Sequence, residues 1–203
     1  MTSRLTAVSR STLLVGLWAP APEQTITSAR TSGPRVAALL VSAPLASGTL
    51  NADLGGGAYD VGTAYLAERG VTNVIYDPFN RSPAHNELAV AAISSGQADT
   101  VTVANVLNVI RESPARLRVI QQAADALGRT PTRCAYFSVY YDRHRVPGLT
   151  IYGWQEHRPL ATYAPEVALV FRDVTIRAGV LIARDPRLPS KRPRRATRAA
   201  LSP

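Results

Sequence analysis

The stretch Thr49–Leu54, Gly55-Gly56-Gly57 and Val61–Arg69 restricts this chain more than any other. A segment that reads as a short strand feeds three consecutive glycines. Asp60 then stands where a helix would open, and Val61, Ala64, Tyr65 and Leu66 recur at helical spacing up to Gly70. Strand, bare-backbone turn and helix in that order form the ligand-binding corner of an open α/β sheet. Asp53, placed just ahead of the glycines, gives the corner a sign. A carboxylate there repels a pyrophosphate and suits a ligand carrying an ammonium or sulfonium group.

Phosphate-binding alternatives fail on residue identity. A dinucleotide fingerprint starting at Gly55 needs glycine or alanine at the position held by Asp60, and a Walker loop needs a lysine, whereas the only lysine is Lys191. The single cysteine, Cys134, excludes an internal disulfide and a cysteine-based zinc site, and reads as a buried small hydrophobe. His85, His144 and His157 have no metal-ligand spacing, so no metal is expected.

The remaining elements alternate. Val36–Leu45 looks helical; Val71–Tyr76 is a β-branched strand closed by Asp77-Pro78; Pro83–Ser94 is a helix. Asp99–Ala104 is a third strand. Ser113-Pro114 reads as cap and first turn of a helix running to Leu127, and Arg133–Tyr140 is a fourth strand. Tyr141–Thr162 reads as a long irregular loop, and Pro165–Phe171 as a short helix. Asp173–Arg177 and Gly179–Arg184 form a closing hairpin. The expected fold is α/β, a doubly wound and mostly parallel sheet with a C-terminal antiparallel hairpin at its edge.

Of the net charge of +9, six lie in residues 187–203 and three in residues 1–36, so residues 37–186 are neutral. Three regions follow: an N-terminal extension over 1–24 that is poorly ordered, a domain over 25–186, and a disordered basic tail over 187–203. The tail is either a solvated appendage or a contact for nucleic acid. The apolar run Leu13–Ala19 is short for a secretion signal and contains Gly16, so a cytoplasmic protein is expected, and no stretch suits a bilayer.

Asp77 lies 20 residues beyond Gly57 at the end of the second strand. An acid there can accept two hydrogen bonds from a ribose diol or can start the turn at Pro78. With Asp53-Leu54-Gly55-Gly56-Gly57, this acid and a later strand ending in Asn105, the chain resembles the class I S-adenosylmethionine-dependent methyltransferases. The resemblance covers about residues 25–185. ADLGGGAYDVGTAYLAERG, VIYDPFNRS, ADTVTVANVLNVI, GWQEH and the lead-in ARTSGP are similar to a bacterial and phage subgroup, some of whose members are associated with DNA phosphorothioation.

The resemblance implies a seven-stranded sheet. It implies that Asp53, Gly55 and Gly57 hold the methionine end of the cofactor S-adenosylmethionine and Asp77 its ribose. Asn105 would sit with Asn108 where cofactor and acceptor meet, and Asp99 would be structural. Between Asp77 and Asp99 there is little room for both a helix and a third edge strand, and no Asn/Asp-Pro-Pro-Tyr/Phe segment follows the strand ending at Ala104. Catalytic candidates are Asn105, Asn108, Tyr140 and Trp154. Tyr140, Tyr141, Asp142, His144, Trp154, Gln155, His157, Arg158 and Tyr163 are candidates for acceptor contact, because aromatics beside polar groups can stack on and hydrogen-bond a flat base. Two functions stay open: a methyltransferase acting on an unidentified acceptor such as DNA or a modified base, and a catalytically inactive cofactor-binding module acting on nucleic acid.

Overall fold

The computed structural model describes residues 16–20, 33–94 and 96–187. In chain order it contains α1 (Ala38–Ser42), β1 (Leu50–Leu54), α2 (Val61–Ala67), β2 (Thr72–Tyr76), α3 (Pro83–Ile93) and β3 (Thr100–Ala104). Then come a 3-10 turn (Leu107–Val109), α4 (Ser113–Leu127), β4 (Cys134–Ser138), β5 (Gly148–Thr150) and β6 (Gly153–Gln155). A second 3-10 turn (Leu160–Tyr163), α5 (Ala164–Ala168), β7 (Phe171–Arg177) and β8 (Val180–Pro186) complete the domain.

Six strands form one sheet in the order β2-β1-β3-β4-β8-β7. β1 through β4 are mutually parallel, and β8 runs antiparallel between β4 and β7. The reversed strand is therefore internal, and its partner β7 takes the edge. Where the resemblance implies a seven-stranded sheet, the described residues form six strands of it. Between β2 and β3 the chain spends its length on α3, capped by the Ser82 hydroxyl and opened by Pro83, and β2 is left as the other edge. β2 and β3 lie on opposite sides of β1. That reversal of strand order opens a crevice at the carboxyl ends of β1 and β3, beside the glycine turn.

Buried aliphatic and aromatic side chains of β1, β3, β4, α4, α5 and the start of β7 make the main core, including Leu54, Val101, Val103, Ile120, Phe137 and Phe171. α4 opens one residue earlier than its Ser-Pro signal suggests. Glu112 occupies the cap position and Ser113 is already helical. Asp60 does precede α2 but makes no capping hydrogen bond, because its carboxylate is drawn to Arg81 at 2.9 Å. Asp99 accepts a hydrogen bond from the Leu50 amide at 2.9 Å, a structural tie between β3 and β1.

Two regions differ from expectation. Tyr141–Thr162 is not wholly irregular: it folds into the β5-β6 hairpin and a 3-10 turn. Within the stretch read as an N-terminal extension, residues 16–20 pack on the domain. Trp18 is 4% exposed, meets Tyr76 edge to face at 5.0 Å, and donates its indole N–H to Asp125 at 3.1 Å. The Tyr76 hydroxyl donates to the Trp18 carbonyl, and Arg118 and Gln122 donate to neighbouring carbonyls. One tryptophan thus recruits a segment whose charge pattern marks it as outside the core. Residues 1–15, 21–32 and the basic tail from 188 onward lie outside the described residues.

Candidate active site

Gly55 and Gly57 have φ of +76° and +80°, a conformation that side chains with a Cβ rarely adopt, which explains their identity. Gly56 is fixed by space instead. A Cβ there would lie 2.5 Å from Asp53 Oδ2, so the Asp53 carboxylate sits directly beneath the turn. Asp53 is 4% exposed, and Thr102 donates its hydroxyl to Asp53 Oδ1 at 3.0 Å. Burial pushes its carboxyl up to about 6, further raised by the charge of Asp77 and opposed by hydrogen bonds from Thr102 and Asn73 and by the charge of Arg81.

Asp77, also 4% exposed, clamps the other side of the turn. Its Oδ2 accepts from the Gly57 amide (2.9 Å) and the Asn80 side-chain amide (3.0 Å). Its Oδ1 accepts from the amides of Phe79 and Asn80, both at 3.0 Å. Four donors fill the roughly four acceptor positions of a carboxylate. Asp77 therefore organises the turn at Pro78, one of its two sequence readings, and it also lines the crevice. Arg81, which the sequence did not single out, completes the clamp by donating Nε to the Gly57 carbonyl at 2.7 Å while pairing with Asp60. Arg81→Ala removes both contacts. It is expected to cost about 1–2 kcal/mol in urea unfolding and to speed hydrogen exchange at Gly57; unchanged exchange there would show that Arg81 does not hold the turn.

These groups border a cleft of about 760 Å³. Of the sequence candidates, Asp53, Gly55, Gly57, Asp77, Asn105, Asn108, Tyr140 and Gln155 line it. Asn105 has φ of +58°, which asparagine tolerates, and its amide is tied to the Ser138 carbonyl at 2.9 Å. Asn108 is buried and its side-chain oxygen lacks a hydrogen-bond partner. The rim is aromatic: Tyr59, Phe79, Tyr140 and Tyr152 all line the cleft and are substantially exposed. Tyr59, Phe79 and Tyr152 were missed because an aromatic in a turn carries no sequence signal for which way it faces. Gln122 of α4 and Pro20, held beside α4 by the Trp18 segment, form part of the wall on that side.

The other candidates are placed elsewhere. Trp154 donates to Glu156 at 3.2 Å and lies under the Arg111 guanidinium at 5.1 Å, away from the cleft lining. His157 stacks edge to face on Tyr140 at 6.2 Å. Tyr163 is wholly buried beneath Arg158. Arg158 shares Glu166 with Arg116, whose fork contacts both carboxylate oxygens at 2.8 and 2.7 Å. Burial alone would raise the Glu166 carboxyl, but the two guanidinium groups hold it below its ordinary value. Asp142 and His144 engage each other and their neighbours in an exposed turn, and Tyr141 lies outside the cleft lining. These residues shape the loop rather than the cleft. Among the described residues no group of three His, Cys, Asp or Glu side chains could hold a metal ion, and no helix is long and apolar enough to cross a membrane.

No protein-family model matches the sequence, and no match is found among curated proteins. Solved structures do match. Burkholderia thailandensis 1,6-didemethyltoxoflavin-N1-methyltransferase, crystallised with 1,6-didemethyltoxoflavin and S-adenosylhomocysteine, superimposes with a TM-score of 0.50 at 17% identity, over 69% of this chain and 72% of its own. The two share a Rossmann-like α/β fold. An S-adenosylmethionine-dependent methyltransferase from Mesorhizobium loti is similar at 15% identity and a TM-score of 0.48, over 72% of this chain and 95% of its own. At such identities the likeness concerns the fold, and the chemistry rests on the cleft.

Proposed function

We propose that this protein binds S-adenosylmethionine in the cleft over β1 and β3 and transfers its methyl group to an acceptor, with DNA or a modified base as the first choice. The observation that carries the reading is the buried Asp53 carboxylate under a bare glycine turn, with the acid Asp77 20 residues beyond it in the same cleft. The cleft volume suits a nucleoside-sized molecule. Asp53, Gly55 and Gly57 are assigned to the methionine end, Asp77 to the ribose, and Asn105 to the junction with the acceptor. Asp77 can take the diol when the Asn80 side-chain amide swings off Oδ2, since that is the one donor of the four not fixed in backbone.

Bound there, the cofactor would supply an electrophilic methyl group on a positively charged sulfur. The chain's task is then to align the acceptor and keep water out, so proximity provides much of the rate. The aromatic rim presents flat faces to a planar acceptor, and Asn108 has an oxygen to offer a donor group. No general base is required unless the nucleophile holds its proton tightly. Acceptor choice draws on the sequence resemblance to the phosphorothioation-associated subgroup and on the basic tail, which would add salt-dependent affinity for a polynucleotide.

A second reading, a cofactor-binding module without catalysis acting on nucleic acid, is favoured by one observation: among the described residues no His, Glu, Cys or Lys lines the cleft and its two acids are those assigned to the cofactor, so an acceptor that holds its proton tightly meets no general base there. Isothermal titration with S-adenosylmethionine is expected to show micromolar binding. Transfer of tritiated methyl to host DNA, RNA or a small-molecule extract then separates the two readings. Label on any of them supports the enzyme. Binding without label supports the module, and absence of binding overturns both.

A further inference from the structure

The centre of a parallel sheet is ordinarily aliphatic, yet β1, β2 and β3 carry a continuous row of polar side chains on one face. Residues two apart on a strand share a face, and the register sets Asn73, Asn51 and Thr100 side by side, with Asp53 beside Thr102 in the next row. Asn51 and Thr102 are completely buried. Such groups weaken a core unless each finds a partner.

Here the donors and acceptors form two branches that leave Asn51, one running out through Asn73 to Thr63 and the other through Thr102 to Asp53. Asn51 Nδ2 donates to Asn73 Oδ1 at 2.8 Å and to Thr102 Oγ1 at 3.0 Å, and Thr100 donates to Asn51 Oδ1 at 2.9 Å. Asn73 donates onward to Thr63 of α2 at 3.1 Å. With its oxygen already accepting from Asn51, Thr102 turns its one proton to Asp53 Oδ1. The ladder therefore ends on a carboxylate that has only acceptors to offer, and it holds that carboxylate beneath Gly56, at the floor of the cleft.

We infer that Thr102, supported by Asn51, is a positioning residue that keeps Asp53 ionised and aimed under the glycine turn, and so selects a ligand bearing a cationic group over a neutral one. This rests on the nucleoside reading of the cleft and adds to it the device by which the charge is maintained. The charged and titratable groups acting on Asp53 are Asp77 from the end of β2, which disfavours its ionisation, and Arg81 beyond it, which favours it. Neither donates a hydrogen bond to Asp53. Without the Thr102 hydroxyl, burial and Asp77 are opposed only by Asn73 and Arg81, and the carboxyl takes up its proton at higher pH.

Thr102→Val keeps the shape and removes the hydroxyl, and Thr102→Ser restores it. In the ligand-free protein, the pH at which stability stops falling should move upward in the valine variant by about one unit and return in the serine variant, measured by urea unfolding between pH 4 and 8.5. In binding, S-adenosylmethionine should lose about threefold or more in affinity at pH 6.5 in the valine variant, with partial recovery at pH 8.5. Methylthioadenosine, which has neither sulfonium nor ammonium, should be unaffected. An unmoved pH profile overturns the inference, as does an equal loss for both nucleosides or failure of serine to rescue. If the wild-type protein binds neither nucleoside, the reading of the cleft fails, and the ligand-free pH profile alone decides whether the ladder holds Asp53 ionised.

Discussion

Replacing Asp53 with asparagine should make the protein more stable at pH 8, by up to about 3 kcal/mol, and should abolish most of the loss of stability between pH 4 and 6. The sign follows from linkage. The carboxyl is raised from 3.8 unfolded to about 6 folded, so between those values the folded state binds the extra proton and stability falls as pH rises. Below pH 4 both states are protonated and the burden disappears. Above about pH 6 it is fully present, and a displacement of about two units corresponds to roughly 3 kcal/mol. Asparagine has the same shape and still accepts the Thr102 hydroxyl, so the comparison isolates the charge. Chemical denaturation of both proteins across pH 4–8.5 measures the difference. A variant less stable than wild type at pH 8 would show that Asp53 is not a costly charge. The same substitution should weaken S-adenosylmethionine binding at pH 8 at least tenfold. That combination, a gain in stability with a loss of binding, is what a charge retained for a ligand produces.

Asp77→Ala should act in the opposite direction on stability. The substitution removes the acceptor for three backbone amides and one side-chain amide and frees the glycine turn from the end of β2. One of those bonds, from the Gly57 amide, is buried and leaving its donor unpaired costs about 1–3 kcal/mol; with the part-buried bonds from Phe79 and Asn80, a total of about 3–4 kcal/mol is expected from thermal or urea unfolding. Affinity for S-adenosylmethionine should fall at least tenfold, about 1.4 kcal/mol. Asn80→Ala separates the roles. It removes only the side-chain donor from Oδ2, so it should leave stability within about 1 kcal/mol of wild type and leave nucleoside affinity unchanged or tighter. Weaker binding in that variant would mean that Asn80 itself holds the ligand. Unchanged affinity in Asp77→Ala would sink the ribose assignment and leave Asp77 as a turn-forming residue only.

Much of this protein was legible from local signals. The strand, glycine turn and helix from Leu50 to Ala67, the alternation through α4, and the closing hairpin at Ala178-Gly179 follow from short-range chemistry: β-branched runs, glycines and prolines act within a few residues of themselves. The charge logic of Asp53 was equally local. The β5-β6 hairpin escaped because its strands are only three residues each, too short for an alternating pattern to stand out from a loop.

What the chain order could not reveal concerns partners far apart in sequence. That β8 inserts between β4 and the edge strand β7, that Trp18 docks against Tyr76 and Asp125, and that Arg81 ties the glycine turn all depend on contacts spanning from 24 to 107 residues. The polar ladder from Thr63 to Asp53 is the clearest case. In the sequence Asn51, Asn73, Thr100 and Thr102 are polar residues scattered over three separate strands; only the register that lays the strands side by side turns them into one hydrogen-bonded path. A sequence therefore determines which segments form strands, turns and helices, because those choices are made by neighbours. Which polar groups become a site is decided by the sheet, because burial and pairing exist only once the strands have met.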